Sequence, residues 1–275
     1  MNTPYEHEIE VAMRLVQDVG KRVADMQGRV GVDRKRGGEV VTDADRMANE
    51  RICRGLSEAF PGDSICAEET VDYEFRPTGD RLWWVDPVDG TREFVDGRDD
   101  YAVMVGLAVK GEAVLGVVYQ PRKKRMWTGV TGGEAYEWIE GEDKPRLLKT
   151  SAVCVSSEMR MAVSRSHRSA QVGDVVEILG IESEVPCGSV GVKVGLLLRC
   201  EADLYPHPGG GTKRWDTCAP EAILRAGGGQ LTDVLGQPID YSGREIANQG
   251  GFLASNGSIH EEILERLNPL LKPGR

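Results

Sequence analysis

The segment that most constrains the fold spans residues 83–94, where an apolar run ends at Asp86 and a second carboxylate follows at Asp89. This pattern predicts a strand that ends at a loop. Pro87 fixes its own φ angle and Gly90 permits the backbone angles of a tight turn, so the two carboxylates can converge on one point. Carboxylate and backbone carbonyl oxygens are preferred ligands of Mg2+. The segment therefore predicts a strand with a magnesium site at its end.

The residues after this loop predict a second part of the same site. Gly90, Thr91 and Arg92 would open a helix whose free N–H groups can bind a phosphate. The alternative is a plain type I turn with helix-capping aspartates, which Asp-Gly alone would suit. We favour the binding loop because the whole twelve-residue segment is more specific than a turn.

Composition and charge exclude several classes of protein. The 275 residues are enough for two packed subdomains, and 40% of them are hydrophobic. The formal net charge of −10 argues against a protein that binds nucleic acid by neutralising phosphates. The six cysteines form no C-x-x-C pair, which predicts reduced cysteines rather than a zinc site or disulfides. With no signal-peptide pattern and no membrane span in the sequence, we expect a cytoplasmic protein.

Helical and extended patterns alternate along the chain without internal repeats. Apolar residues at helical spacing predict a first helix over residues 5–28, which Gly28 ends. Strands are predicted near 64–69, 101–109, 113–120, 126–128, 135–138, 159–163 and 202–205, a polar link at 141–149, a loop at 206–211, and further helices at 43–60, 169–179, 188–200, 216–226 and 258–267. This order predicts an α/β (α+β) protein with portions 1–150 and 151–275, the second smaller, and a site at their junction.

Acidic side chains lie at the ends of several predicted elements. Asp43 and Asp45 occur where a helix N-cap would sit, and Asp216 likewise begins a predicted helix, so capping is an alternative to a functional role for each. Glu68 and Glu69 end a predicted short strand. Because adjacent side chains on a strand point to opposite faces, we expect only one of these glutamates to serve a site.

Together these features resemble the inositol monophosphatase superfamily of metal-dependent, lithium-sensitive phosphatases. The resemblance rests on three separated motifs, which are Glu68, the Asp86–Thr91 segment and the pair Trp215-Asp216, and it extends over nearly the whole chain. It implies the layered αβαβα sandwich of inositol monophosphatase and fructose-1,6-bisphosphatase.

The resemblance also implies roles for the acidic residues. The implied ligands of two or three Mg2+ ions are Glu68, Asp86, Val88 through its carbonyl, Asp89 and Asp216. Asp45 and Thr91 are implied to activate the attacking water together. Divalent ions polarise phosphoryl oxygens and lower the pKa of a bound water, so phosphate can be released without a covalent phosphoenzyme.

Within the superfamily the sequence is similar to the 3'(2'),5'-bisphosphate nucleotidase branch. Glu93 stands where inositol monophosphatases typically carry Asn. The resemblance implies hydrolysis of 3'-phosphoadenosine 5'-phosphate, a by-product of sulfate assimilation, to AMP and phosphate, and leaves open whether 3'-phosphoadenosine 5'-phosphosulfate is also hydrolysed. It implies nucleotide contacts by Ser164, His167, Ser189 and Lys193. The sequence departs from the pattern at Ser164, where some relatives have Thr, and at Ser189, where some have Gly.

A substrate with a second phosphate needs fixed cations in addition to metal ions. The candidates in the second half are Arg165, His167, Lys193, Lys213 and Arg214, although each alone is as readily a solvated surface cation. The rival interpretations are an inositol monophosphatase or inositol polyphosphate 1-phosphatase of the same fold, a non-catalytic nucleotide sensor, and a structural calcium site. The sequence leaves open the choice between monomer and homodimer, as well as the roles of Asp43, Glu69 and the basic cluster at 122–125.

Overall fold

The computed structural model describes residues 4–35, 38–71, 75–166 and 170–271. Helices and strands alternate through these residues, as the sequence predicts. The α-helices are α1 (Glu6–Met26), α2 (Asp43–Ala59), α3 (Thr91–Val95), α4 (Ala170–Leu179), α5 (Val190–Leu198), α6 (Arg214–Ala226) and α7 (His260–Leu271). No helix in the described part of the chain combines the length and the apolar character of a membrane-spanning segment.

The strands form one small and two large sheets. A two-stranded antiparallel pair consists of β1 (Val32–Arg34) and β2 (Val40–Thr42). A seven-stranded sheet contains, in spatial order, β3 (Ser64–Ala67), β4 (Arg81–Asp89), β5 (Ala102–Val109), β6 (Glu112–Gln120), β7 (Arg125–Val130), β8 (Ala135–Ile139) and β9 (Arg146–Leu148). Only the β3–β4 pair in that sheet is parallel among the described strands.

The second large sheet has five strands and comes from the second half of the chain. Its strands are β10 (Arg160–Ser164), β11 (Ser183–Cys187), β12 (Leu204–Pro208), β13 (Gln230–Asp233) and β14 (Gly251–Ser255), in the spatial order β11-β10-β12-β14-β13. Strand β10 runs parallel to β11 and β12, whereas β14 runs antiparallel to β12 and β13.

The helices and the two sheets stack in five layers, which confirms the predicted αβαβα sandwich. Apolar residues of α1 and α2 pack on one face of the seven-stranded sheet, and those of α5 and α6 fill the space between the two sheets. Residues of α4 and α7 cover the outer face of the five-stranded sheet. The adjacent residues Trp83 and Trp84 lie in different cores, because neighbouring side chains on β4 point to opposite faces. The division into portions 1–150 and 151–275 stays a prediction.

Strand boundaries differ from those predicted at several places, among them β4, β9 and β12. Strand β4 continues past Asp86 to Asp89, and its register on β5 shifts between these residues. The extra residue forms a bulge, which accommodates Pro87 because proline has no N–H to donate to the ladder. Strand β9 occupies part of the predicted polar link, and β12 extends to Pro208 into the predicted loop, since each pairs with a neighbouring strand.

A row of three glycines lets α6 lie directly on the seven-stranded sheet. Gly106, Gly116 and Gly129 pair in register across β5, β6 and β7. A Cβ atom at Gly116 would lie 2.1 Å from the carbonyl oxygen of Ala219 on α6, and one at Gly106 would lie 2.6 Å from the Ala219 nitrogen. The absence of side chains in this row sets the height of α6 above the sheet.

Replacing Gly116 with alanine is expected to lower the free energy of unfolding by about 2 kcal/mol or more, because the new methyl group would meet helix backbone. Urea unfolding measures the effect. Gly173→Ala is the matched control, since Gly173 is exposed on α4 with no neighbouring atom within 4 Å of the new methyl group. We expect this control to match or slightly exceed the wild-type stability. Wild-type stability in Gly116→Ala would contradict the close approach of α6.

Candidate active site

Three carboxylates meet at the end of β4. Asp86 and Asp89 on β4 and Asp216 on α6 each offer an oxygen within 4.8 Å of the others. Asp86 is only 1% exposed, and its Oδ1 atom makes no hydrogen bond within the described residues. Val88, between the two strand aspartates, is also buried. Asp86 and Asp89 are buried and Asp216 is half-buried, and this all-oxygen donor set with an unpartnered carboxylate oxygen fits a hard divalent cation such as Mg2+.

Two of these carboxylates are held by the N-terminal ends of helices. Asp89 Oδ2 accepts hydrogen bonds from the Ser189 hydroxyl and from the Gly191 N–H at 2.8 Å, both at the start of α5. Asp216 Oδ2 accepts from the Lys213 N–H at 2.5 Å, at the start of α6. In both aspartates the hydrogen bonds from the helix go to Oδ2, so Oδ1 takes no part in them. Helix N-termini favour negative charge, and they fix these carboxylates in place.

Asp45 and Thr91 form a hydrogen-bonded pair beside the cluster. The Thr91 Oγ1 atom lies 3.0 Å from both Asp45 Oδ1 and the Val88 carbonyl oxygen. The other Asp45 oxygen accepts from the backbone N–H and the hydroxyl of Thr42, at 2.8 and 2.5 Å. Burial raises the pKa of Asp45, whereas the hydrogen bonds from Thr42 and Thr91 oppose that rise.

The capping predictions for the aspartates were wrong in detail. Thr42, not Asp43 or Asp45, is the N-cap of α2, and Asp45 is the third helical residue of a capping box. The N-cap of α6 is Lys213, and Asp216 is again the third helical residue. The capping-box position engages one carboxylate oxygen, so capping and a site role are compatible in both aspartates.

Glu68 and Glu69 share one lysine. The Lys35 Nζ atom, next to β1, lies 2.8 Å from Glu68 Oε1 and 2.7 Å from Glu69 Oε1. Strand β3 ends at Ala67, so strand alternation does not separate the two side chains as we expected. Burial raises the pKa of Glu68 to about 8, against the opposing effect of Lys35. The charge of Asp216 contributes to that rise, so Glu68 interacts electrostatically with the carboxylate cluster.

The predicted substrate-binding residues occupy different environments. Ser189 and Lys193 are buried, and the Lys193 Nζ atom donates to the Gly188 carbonyl at 2.6 Å and to the Ser189 carbonyl at 3.3 Å. The Lys193 Nζ atom also lies 4.7 Å from the ring centroid of Tyr205. These two side chains therefore support the loop before α5.

The remaining predicted contacts lie on loops and strand ends around the cluster. Ser164 is the last residue of β10 and is half-buried. Gly90 adopts a φ of 90° before α3, as the predicted turn requires. Arg214, at the start of α6, donates to the Asn248 side chain. His167 lies outside the described residues.

Sequence reasoning gave no role to two residues that organise this region. Thr42 was recognisable, because Thr-x-x-Asp before an apolar helix is a capping-box pattern. No local sequence pattern pointed to Asp100. Its carboxylate accepts from the Gly188 N–H at 2.8 Å and from Arg165 at 3.2 Å, and its carbonyl accepts from the Ser189 N–H at 3.0 Å.

Comparison with known proteins agrees with this geometry. A model of the inositol monophosphatase family matches residues 5–272. The chain belongs to the inositol monophosphatase family. This confirms the family resemblance seen in the sequence, and the predicted fold is also that of the solved family structures.

Several relatives within this family have nucleotidase names. The chain is 31% identical over 269 residues to the 3'(2'),5'-bisphosphate nucleotidase 1 of Rattus norvegicus, covering 83% of each chain. It is 33% identical over 216 residues to the 3'(2'),5'-bisphosphate nucleotidase CysQ of Escherichia coli K12, covering 78% of this chain and 85% of the relative. These names match the branch that the sequence resembles.

Solved structures of the family superpose over almost the whole chain. An IMPase from Thermotoga maritima gives a TM-score of 0.79 at 26% identity, covering 96% of this chain and 98% of the other. CysQ from Bacteroides thetaiotaomicron gives a TM-score of 0.77 at 27% identity, covering 92% of this chain and 98% of the other.

The cluster carries a large electrostatic cost when no cation is bound. Burial and repulsion from Asp89 raise the pKa of Asp216 to about 7. Burial and the charges of Glu68 and Asp89 raise the pKa of Asp86 well above its usual range. A family member with this arrangement gains stability from any divalent cation that neutralises the cluster.

The Asp216→Asn variant tests this electrostatic cost. Between pH 4 and pH 7 the metal-free folded protein retains a proton on Asp216 that the unfolded chain has lost, so its free energy of unfolding falls as pH rises. Asparagine does not titrate, so the Asp216→Asn variant loses this contribution to the pH dependence of stability. In chelator, we expect the stability of the variant relative to wild type to increase by about 1 kcal/mol or more from pH 5 to pH 8. Urea unfolding at pH 5 and pH 8 measures the difference in free energy of unfolding between the variant and wild type. The same difference at both pH values would contradict an electrostatic cost at Asp216.

Proposed function

We propose that the protein is a Mg2+-dependent phosphatase that hydrolyses the 3'-phosphate of 3'-phosphoadenosine 5'-phosphate to AMP and phosphate. The observation that carries the proposal is the Thr91–Asp45 pair beside a buried carboxylate cluster with an unpartnered oxygen. The relatives named bisphosphate nucleotidases support the choice of substrate.

The proposed ligands of two or three Mg2+ ions are Glu68, Asp86, the Val88 carbonyl, Asp89 and Asp216. Bound Mg2+ would polarise the phosphoryl oxygens and lower the pKa of a water molecule. The Thr91 hydroxyl has one proton, so when it donates to Asp45 the lone pairs of the Val88 carbonyl oxygen, 3.0 Å from Thr91 Oγ1, are left for a metal ion.

Thr91 and Asp45 are proposed to orient the attacking water and take its proton. When the Thr91 hydroxyl donates to Asp45 Oδ1, its lone pairs can accept a hydrogen bond from that water. Thr42 holds the other oxygen of Asp45, so the acceptor atom stays fixed. The water oxygen attacks phosphorus in line with the 3'-oxygen of the substrate, and the bond between phosphorus and that oxygen breaks. The 3'-oxygen takes a proton from solvent and leaves as the hydroxyl of AMP, and inorganic phosphate is released with no bond between phosphorus and the protein.

The remaining site residues are proposed to hold the substrate. Gly90 and Thr91 would bind phosphoryl oxygens through their backbone N–H groups. Residues proposed to contact the nucleotide and its second phosphate are Ser164, His167, Ser189, Lys193, Lys213 and Arg214. The buried side chains of Ser189 and Lys193 would act through the loop that they support.

Two observations favour a second candidate, an inositol monophosphatase or inositol polyphosphate 1-phosphatase activity. Glu93, the residue by which the sequence resembles the nucleotidase branch, is buried and therefore not open to contact with a nucleotide. Two cavities of about 570 and 440 Å³ lie away from the carboxylate cluster, so neither is an adenine pocket at this site.

Phosphate release from 3'-phosphoadenosine 5'-phosphate and from inositol 1-phosphate, measured side by side with Mg2+ and with chelator, tests the proposal. We expect the nucleotide to be preferred by at least about tenfold in kcat/KM and activity on both to be lost with chelator. A parallel assay with 3'-phosphoadenosine 5'-phosphosulfate shows whether the substrate range is wider.

Asp86→Asn is the control for metal dependence. The variant removes a buried charge that has no hydrogen bond on Oδ1, so we expect a folded protein with at least about a hundredfold less phosphate release. Preference for inositol 1-phosphate would overturn the proposed substrate while retaining the metal mechanism. Activity that persists in chelator would overturn the mechanism itself.

A further inference from the structure

Glu93, on the short helix α3, is a buried carboxylate that the proposed reaction does not use. It is 4% exposed, and it lies between two segments from the second half of the chain. We call these residues 164–166 and 187–189 the substrate segments, because they contain or adjoin the proposed nucleotide contacts. The inference below therefore rests on the proposed function.

Glu93 touches both substrate segments directly. The Ser166 hydroxyl donates to Glu93 Oε1 at 2.5 Å. On the other side, a Cβ atom at Gly188 would lie 2.3 Å from both Cγ and Cδ of Glu93. The side chain of Glu93 therefore fills the space that a larger residue at position 188 would need, and it joins the two segments through one carboxylate.

The peptide groups around Gly188 are fixed by other buried partners. Its N–H donates to Asp100 Oδ2 at 2.8 Å, and its carbonyl accepts from Lys193 Nζ at 2.6 Å. Burial lowers the pKa of the Lys193 ammonium group, and the charges of Asp89, Glu93 and Asp100 oppose that change. The carboxylate of Glu93 thus contributes both a contact and part of the charge that offsets a buried ammonium.

Asp100 holds the same two segments at a second point. Arg165 donates to Asp100 Oδ2 at 3.2 Å and to the Pro186 carbonyl at 2.8 Å. Glu93 and Asp100 both follow Asp86 and Asp89 closely in the chain, so both substrate segments are tied to the part of the chain that carries those two aspartates. The bonds to Glu93 and Asp100 therefore set the distance between the substrate segments and the carboxylate cluster.

We propose that Glu93 is a positioning residue that fixes the two substrate segments relative to the carboxylate cluster and thereby sets the affinity for the nucleotide part of the substrate. A charged acceptor suits this role, because hydrogen bonds to a carboxylate are stronger than those to a neutral group. Substrates that lack a nucleotide do not depend on this arrangement.

The Glu93→Ala variant tests the proposal. We expect KM for 3'-phosphoadenosine 5'-phosphate to rise about tenfold, with kcat within about twofold of wild type, because the lost bonds position the substrate rather than the attacking water. KM for phenyl phosphate, which has no nucleotide, should be unchanged. Glu93→Gln keeps an acceptor for Ser166, so it should restore part of the loss.

Glu137→Ala is the matched control. Glu137 is also a buried glutamate, 2% exposed, and its carboxylate lies 2.7 Å from Arg199 and 3.0 Å from Arg125, away from the substrate segments. We expect this variant to lose stability while both KM values stay at the wild-type level. A KM increase in Glu137→Ala equal to that in Glu93→Ala would overturn the proposal, since it would reflect general destabilisation.

Amide hydrogen exchange gives a readout that needs no substrate. The N–H groups of Arg165, Gly188 and Ser189 are hydrogen-bonded, so their exchange reports on the substrate segments. We expect faster exchange there in Glu93→Ala and wild-type exchange there in Glu137→Ala. Wild-type exchange in Glu93→Ala would overturn the inference whatever the kinetics. If the wild-type protein did not hydrolyse the nucleotide, the proposed function would fail, and the exchange result would still decide whether Glu93 positions the segments.

Discussion

The structure depends on the burial of several carboxylates in one place. The buried Asp86 and Asp89 lie close to each other and to the half-buried Asp216, which costs free energy unless other groups compensate. Part of the compensation comes from helix N-termini: α5 binds Asp89 and α6 binds Asp216 through backbone N–H groups. The glycine row under α6 lets that helix, which carries Asp216, lie directly on the sheet that carries the two strand aspartates.

The same bonds connect the two halves of the chain. Asp89 belongs to the seven-stranded sheet, and the residues that hold it, Ser189 and Gly191, begin a helix from the second half. Glu93 and Asp100 reach the same region from the first half. A change that removes the hydrogen bonds to Asp89 is therefore expected to affect both the packing of the halves and the geometry of the carboxylate cluster, whereas loss of Glu93 is expected to act on the substrate segments.

Much of the fold and the cluster was predictable because their signals are local. Periodic apolar residues predicted α1 within two residues of its bounds, and the Asp86–Thr91 segment predicted convergent carboxylates. The partners of those carboxylates were not predictable, since Ser189 lies 100 residues from Asp89 and no local pattern reports such a contact. Strand β9 was missed for the same reason, because its pairing with β8, rather than its polar sequence, makes it a strand.

The central claim is that the buried cluster is a cation site whose carboxylates are already positioned by helix N-termini. Anomalous scattering from crystals grown with Mn2+ tests it most directly. The account predicts manganese within about 2.2 Å of carboxylate oxygens of Asp86, Asp89 and Asp216, with the hydrogen bonds from Gly191 and Lys213 retained. Manganese bound elsewhere, or bound only after those two hydrogen bonds have broken, would contradict the account.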